Sequence, residues 1–256
     1  MIVSVWGSER RMEVVRSLLR KEHTCMAMEA LFDFDLTKLD ALILPMQGVQ
    51  GEKGDYMDRA HIPVPKTFWE CLREDCRIFS GRPTRFLESL SQPKSYYLSD
   101  ERILNENAAL TAQGTLFYVL DHTDRILSKC SADIIGRGHC GQAIGALLSQ
   151  LGVRVRYIRH GRAQGSDERT LSEWQQDDCA DFVIHCAPYQ LIEETAIEQW
   201  HHPTCVIDIS GTLRSVEAHL SQKGHTYVRA ANLPEQFAWN SSGEAIVGFI
   251  RRQLHV

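Results

Sequence analysis

The stretch Gly136-Arg137-Gly138-His139-Cys140-Gly141 constrains this chain more than any other. It reads G-x-G-x-x-G, and its setting gives it meaning. The apolar run Ala132–Ile135 enters it, an Ala/Leu-rich helical pattern over Ala143–Leu151 leaves it, and an alternating strand, Val153–Ile158, follows. That is a β-turn-α-β unit. The first glycine permits the tight turn, the second lets the backbone approach a pyrophosphate, and the third lets the helix pack close to the strand. The helix N-terminus adds N–H groups and the positive end of the helix dipole. Gly136, Arg137, Gly138, His139, Cys140 and Gly141 are therefore candidate dinucleotide-binding residues. A domain of this type that has lost its ligand would read the same way.

The second strand selects between dinucleotides. An NAD site usually places Asp or Glu at its end, about 20 residues on, to hold the ribose 2′-hydroxyl. Here the strand ends in Arg159-His160-Gly161-Arg162, and no acid follows before Asp167. A guanidinium grips phosphate oxygens in a fork, so Arg159, His160 and Arg162 favour NADP over NAD. A solvated basic loop is the alternative.

Composition excludes several classes. The chain has 256 residues, enough for one large domain or two small ones, with 43% apolar and 24% charged residues, ordinary for a globular protein. A formal charge of −5 argues against nonspecific nucleic-acid binding. No apolar run approaches the roughly 18 residues of a membrane span, and the N-terminus lacks the signal-peptide pattern. Eight cysteines without a C-x-x-C spacing read as reduced thiols of a cytoplasmic protein, with neither a disulfide framework nor a metal site. The pair His201-His202 reads as a surface turn before Pro203.

Strand and helix patterns alternate along the chain. Ile2–Trp6 is a strand, and Met12, Val15, Leu18 and Leu19 share a helix face. Ala41–Leu44 is a buried strand, Gln47–Gly54 a Gly-rich loop, Phe68–Leu72 helical, and Arg77–Phe79 a short strand. This first α/β domain lacks a full glycine fingerprint and should not bind a second dinucleotide. Ser99 or Asp100 caps a long helix that reads from Asn107 to Leu127. Later strands are Asp181–Ala187, Cys205–Ile209 and Tyr227–Ala230, and Ser241 or Ser242 caps a last helix, Glu244–Leu254. The expected fold is α/β: two Rossmann-like domains with parallel sheets, joined by a long helix, with a C-terminal helix crossing back. The expected boundaries are 1–100 for the N-terminal domain, 101–128 for the linking helix, 129–240 for the NADP-binding domain and 241–256 for the last helix.

Four segments resemble the dipicolinate synthase A-subunit family: Leu42–Gly54 (LILPMQGVQGEKG), Ile78–Gly81 (IFSG), Ala112–Asp124 (AQGTLFYVLDHTD) and Ala231–Ile246 (ANLPEQFAWNSSGEAI). They run in the family's order and span most of the chain. The resemblance implies an NADP-dependent oxidation of dihydrodipicolinate to dipicolinate (pyridine-2,6-dicarboxylate), a sporulation context and a flavoprotein-like second subunit. The sequence also departs from the family. The chain is shorter, with the loss in the first domain. Ile209-Ser210-Gly211-Thr212-Leu213-Arg214 stands where a Ser-Arg-Pro-Gly type of loop belongs, and Asn232, Glu235, Trp239 and Asn240 stand where the family pattern has Gly, Gly, Pro and Lys.

Ligands of open α/β sheets bind beyond the carboxyl ends of the strands. That rule puts Cys186, Ala187, Pro188 and Ser210-Gly211 at the nicotinamide half of a cleft between domains. It puts Pro45–Gly54 and Ser80-Gly81-Arg82 on the substrate side, and the long helix, running back into the first Rossmann strand, brings its N-terminal Asn107 and Thr111 there. Arg82 and Arg85 suit a dicarboxylate or a solvated turn equally. His122 belongs to a helix end rather than to catalysis, and the sequence identifies no catalytic acid or base. Two other functions stay open: a related two-domain dehydrogenase of small carboxylic acids, and a non-catalytic NADP-binding subunit that scaffolds or regulates a partner. Homo-oligomerisation is expected in each case.

Overall fold

The computed structural model describes residues 1–51, 54–57 and 61–254. The chain divides into a first unit, Met1–Glu106 with Trp239–Val256, and a second unit, Asn107–Ala238. The first unit contains β1 (Ile2–Val5), α1 (Arg10–Leu19), β2 (Thr24–Met26), β3 (Ala41–Ile43), β4 (Val49–Gln50), β5 (Asp55–Met57), β6 (His61–Ile62), α2 (Lys66–Glu70), β7 (Arg77–Ser80), α3 (Arg85–Ser89) and β8 (Lys94–Tyr96). Helix α4 (Glu101–Asp121) leads from the first unit into the second. The second holds β9 (Ser131–Ile135), α5 (His139–Gln150), β10 (Arg154–Arg159), β11 (Glu168–Thr170), α6 (Leu171–Trp174), β12 (Phe182–His185), α7 (Glu194–Ile197), β13 (Cys205–Asp208), α8 (Glu217–Gln222), β14 (Thr226–Arg229) and α9 (Leu233–Phe237). Helix α10 (Trp239–Leu254) returns to the first unit.

Both main sheets are parallel, and both are covered on two faces, which is why their strands read as apolar runs. In the first unit the order is β2-β1-β3-β7-β8. Val3, Val5, Ala41 and Ile43 pack toward Met12, Val15 and Leu19 of α1 and Ile246 and Ile250 of α10. The alternate residues Leu42, Leu44 and Ile78 pack with Trp6, Phe68 and Trp69 on the other face. Gly243 lets α10 lie close on α1, since a Cβ there would sit 2.8 Å from the Arg11 carbonyl oxygen and 2.7 Å from Val14 Cβ.

In the second unit the order is β11-β10-β9-β12-β13-β14, all parallel. Counted in chain order this is 3-2-1-4-5-6, the doubly wound arrangement whose direction of winding reverses between β9 and β12. Ile134, Phe182, Ile184 and Ile207 face Ile144 and Leu148 of α5, and Ile135, Val183 and Val206 face Trp174, Trp200 and Leu220. Asp133, fully buried on β9, accepts two hydrogen bonds from Arg156 at 2.7 and 2.8 Å, one from Trp174 Nε1 at 2.8 Å and one from the Ala180 N–H at 3.0 Å. That fixes three segments to one carboxylate.

Several local expectations need correction. The long helix starts at Glu101, six residues before its clear pattern at Asn107, with Asp100 as its cap as expected: its carboxylate accepts from the Arg102 and Ile103 N–H groups at 2.9 and 3.3 Å. It stops at Asp121 rather than Leu127, because Thr123 Oγ1 accepts from the Arg125 N–H at 3.1 Å and turns the chain. The last helix starts at Trp239, not Glu244. Ser242 lies on its buried face with Ile246 and Ile250 and is no cap, while Arg10 stacks over the Trp239 ring at 4.7 Å from the ring centre. The segment Gln47–Gly54 is not plain loop, for β4, β5 and β6 form a small antiparallel sheet; Glu52 and Lys53 lie outside the described residues. Short elements such as β2, β8 and β11 carry too few residues to show a period. Asn232 has φ 61°, the left-handed conformation, and is the one non-glycine residue with positive φ among those described. Asparagine tolerates that region better than most residues, so the backbone turn at Asn232 stands without a glycine. No helix among the described residues is long and apolar enough to cross a membrane.

Candidate functional site

The glycine loop of the second unit joins β9 to α5 at the point where the strand order reverses. Gly136 has φ +100°, which suits glycine alone, and a Cβ there would come 3.2 Å from the Ala187 nitrogen. A Cβ on Gly141 would fall on the Gly136 carbonyl oxygen. Around Gly138 the space is open, with nothing within 4 Å of the Cβ position, and no side chain caps the helix that begins at His139. The loop is tight toward sheet and helix and open where a phosphate would approach an uncapped helix N-terminus. These residues therefore fit a dinucleotide pyrophosphate.

The segment after β12 joins the same place. The Cys186 N–H donates to the Ile135 carbonyl at 2.9 Å, so Cys186, Ala187 and Pro188 run beside Gly136. Burial pushes the thiols of both Cys140 and Cys186 up, against a smaller opposing hydrogen bond from Thr111 at Cys140. Neither is a thiolate near neutral pH. All eight cysteines are free, and burial pushes Cys76, Cys179 and Cys205 to about 12. Only Cys71 is exposed. An aromatic disulfide reagent at neutral pH is expected to modify Cys71 first and the others only on unfolding, as followed by mass spectrometry. Fast labelling of Cys186 would show that the glycine-loop end of the unit opens.

After β13 a polar network takes over. Asp208 is fully buried and accepts from Ser210 Oγ and the Gly211 N–H at 2.8 Å, and from the Leu213 N–H and Tyr227 Oη at 3.0 Å. His185 Nδ1 lies 3.0 Å from Ser210 Oγ, and its Nε2 is buried without a hydrogen-bond partner. Burial works against the Asp208 charge. The contacts from His185, the Leu213 amide, Ser210 and Tyr227 outweigh it and hold the carboxyl well below the usual range. The sequence reading missed His185 and Asp208, although both end apolar strands where ligands gather.

The basic turn after β10 differs most from expectation. His160 and Arg162 are exposed. Arg159 instead reaches Glu168, its Nη1 lying 3.2 and 3.5 Å from the two carboxylate oxygens. Arg137, from the glycine loop, pairs with the same Oε1, and the Gln164 N–H donates to Oε2 at 2.6 Å. The acid of this region is thus Glu168, on the edge strand β11.

The substrate-side candidates fall in both units. In the first, Ser80 is buried with its Oγ 3.3 Å from the Arg82 carbonyl oxygen, and a Cβ on Gly81 would fall on the Met46 carbonyl, so the loops after β3 and β7 touch. Arg82 and Arg85 are exposed. In the second, Thr111 is 4% exposed and donates to the Asn107 carbonyl at 2.7 Å, beside Cys140, so its hydroxyl serves the interior of that unit. Asn107 is half-buried. His122 holds its own helix end, Nδ1 lying 3.0 Å from the Tyr118 carbonyl. Asp178, Cys179 and His202 cluster, but both His202 ring nitrogens face carbonyl oxygens, of Cys179 at 2.9 Å and Pro203 at 3.2 Å. That geometry asks for two N–H groups and leaves no lone pair for a metal.

No protein-family model matches the chain. Among curated proteins it is similar to the dipicolinate synthase A-subunit of Bacillus subtilis (strain 168), 19% identical over 99% of this chain and 95% of the relative. Among solved structures it is similar to the dipicolinate synthase A-subunit from Bacillus halodurans, with a TM-score of 0.81 and 19% identity over 100% of this chain and 97% of that one. A putative D-isomer specific 2-hydroxyacid dehydrogenase, NAD-binding, from Polaromonas sp. JS6 66 follows with a TM-score of 0.64 and 13% identity over 99% of this chain and 95% of that one. The resemblance carried by the four sequence segments thus extends over the whole chain and its fold.

Proposed function

We propose that the chain is a nicotinamide-dinucleotide-dependent oxidoreductase acting on a small cyclic dicarboxylate, with oxidation of dihydrodipicolinate to dipicolinate as its reaction. The observation that carries this reading is the Gly136–Gly141 loop, tight on two sides and open at Gly138, at the reversal point of a 3-2-1-4-5-6 sheet. The substrate comes from the likeness to the dipicolinate synthase A-subunit along the whole chain.

A bound dinucleotide would supply the hydride acceptor. The chain's own residues do the rest. Gly136, Gly138 and the first turn of α5 would hold the pyrophosphate, and the exposed His160 and Arg162 of the turn after β10 would face the adenosine half. Cys186, Ala187, Pro188 and the Ser210–Gly211 turn, which follow β12 and β13, would line the nicotinamide end. Asp208 anchors that turn through two hydrogen bonds of 2.8 Å, to Ser210 and Gly211. Arg82 and Arg85, whose guanidiniums are exposed, are the cations proposed for the substrate carboxylates. Self-association and a flavoprotein-like second subunit belong to the same reading.

One observation favours a second reading, a non-catalytic dinucleotide-binding subunit. The hydroxyls of Ser210 and Thr212 are spent on Asp208 and on each other, 2.8 Å apart, where the family places an arginine loop. Purified chain incubated with dihydrodipicolinate and NAD or NADP separates the two. Appearance of reduced dinucleotide and of dipicolinate supports the oxidoreductase. Dinucleotide binding with no turnover, alone and with the second subunit, supports the scaffold.

A further inference from the structure

We infer that Glu168 sets the dinucleotide preference of this site, engaging the arginines that would otherwise read a 2′-phosphate and turning the site toward NAD. The inference rests on the dinucleotide reading above and concerns which dinucleotide is taken.

The argument starts from strand register. In the parallel pair of β10 and β11, Tyr157 lies opposite Glu168 and Arg159 opposite Thr170. Side chains two apart on a strand share a face, so Tyr157 and Arg159 project to the same side as Glu168. Tyr157 packs in the core beneath α5, and the Arg137 guanidinium stacks over its ring at 4.6 Å. Arg137 thus reaches from the glycine loop, over Tyr157, to Glu168, while Arg159 reaches the same carboxylate from the end of β10. The carboxylate has no exposed side-chain surface, whereas the arginines keep 37% and 34% of theirs. The Gln164 amide, and then the two guanidiniums, hold the carboxyl below its ordinary range despite burial, so it stays charged at neutral pH.

Arg137 lies in the loop after β9 and Arg159 at the carboxyl end of β10, with Glu168 opening β11 beside them; the carboxyl ends of these first strands of the doubly wound order are where the adenosine ribose binds in such sheets. Two guanidiniums against one carboxylate leave one net positive charge, and it is shared with the pyrophosphate end through Arg137. An incoming 2′-phosphate would have to compete with a buried carboxylate for Arg159 and would meet its repulsion. A 2′-hydroxyl meets neither cost. His160 and Arg162 remain on the exposed turn, and neither is bonded to Glu168.

Fluorescence titration of NADH and NADPH against the full chain tests this, with E168Q, R159A and the double variant beside the native protein. The native chain is expected to bind NADH at least as tightly as NADPH. E168Q is expected to raise the NADPH-to-NADH affinity ratio about tenfold, the scale of one charge-assisted hydrogen bond, and R159A in that background to reverse the gain. R159A alone is expected to leave the ratio within about twofold, since that arginine is already engaged. An unchanged ratio in folded E168Q overturns the inference. So does a loss of NADPH binding alone in R159A, and that arm decides the matter if E168Q does not fold. If neither dinucleotide binds the native chain, the dinucleotide reading falls and this inference falls with it.

Discussion

Alanine at Asp208 is expected to cost the second unit about 3–5 kcal/mol, the scale for breaking a buried charged network by removing one partner. Four donors converge on this carboxylate, two of them backbone N–H groups of the turn after β13. Removing it leaves the buried Leu213 N–H without an acceptor, at its full desolvation penalty, and strips the half-buried Ser210, Gly211 and Tyr227 donors of theirs. Thermal or urea unfolding should show the loss, and a variant melting with the native chain would mean that water replaces the carboxylate. Asparagine keeps the shape but only one acceptor oxygen, so its cost is smaller. The pH dependence has a definite sign. The Asp208 carboxyl is held below its unfolded value, so its contribution is complete above the ordinary carboxylate range and is lost as the pH falls toward the folded value. The D208N variant should therefore show a flatter acid limb in stability against pH than the native chain.

Valine at Gly141 is expected to abolish dinucleotide binding. A Cβ there falls on the Gly136 carbonyl oxygen, which belongs to backbone and cannot swing aside like a flexible side chain. Helix α5 must then move off the loop, and the pyrophosphate loses both the turn and the helix N-terminus at once. A fall in affinity of about a hundredfold or more, the equivalent of two lost charge-assisted hydrogen bonds, is the expected titration result, with circular dichroism reporting that the sheet persists. Native-like binding in G141V would show that the ligand enters elsewhere. Gly138, with open space at its Cβ position, is the internal comparison: alanine there should perturb binding without disturbing the fold.

The glycine loop was legible because its chemistry is local. Three glycines at fixed spacing sit between one strand and one helix, and the same residues make the contacts that matter. The apolar runs of β1, β3, β9 and β12 are legible for a similar reason, since parallel strands covered on both faces are apolar throughout. Glu168 was hidden because its role depends on a pairing between strands. Nothing near it in sequence shows that β11 lies against β10, and a three-residue edge strand has no period to read. Arg159 reads from sequence as a cation at the end of β10, but nothing in the sequence points to its partner nine residues on. Helix ends failed where a serine or threonine competed with periodicity: Thr123 ends α4 early, and Ser242 sits on the buried side of α10 where it resembled a cap.

The return of α10 to the first unit makes that unit discontinuous along the chain. Residues 1–106 emerge from the ribosome before the helix that covers Met12, Val15 and Leu19 of α1 has been made. Domains otherwise tend to fold from the N-terminus as synthesis proceeds. Here the segment 107–238 is complete first, and the part of α1's apolar side that α10 covers stays open until Trp239–Leu254 has been synthesised. The order of assembly is thus inverted relative to the order of synthesis, and the last sixteen-residue helix governs whether the first unit reaches its native state.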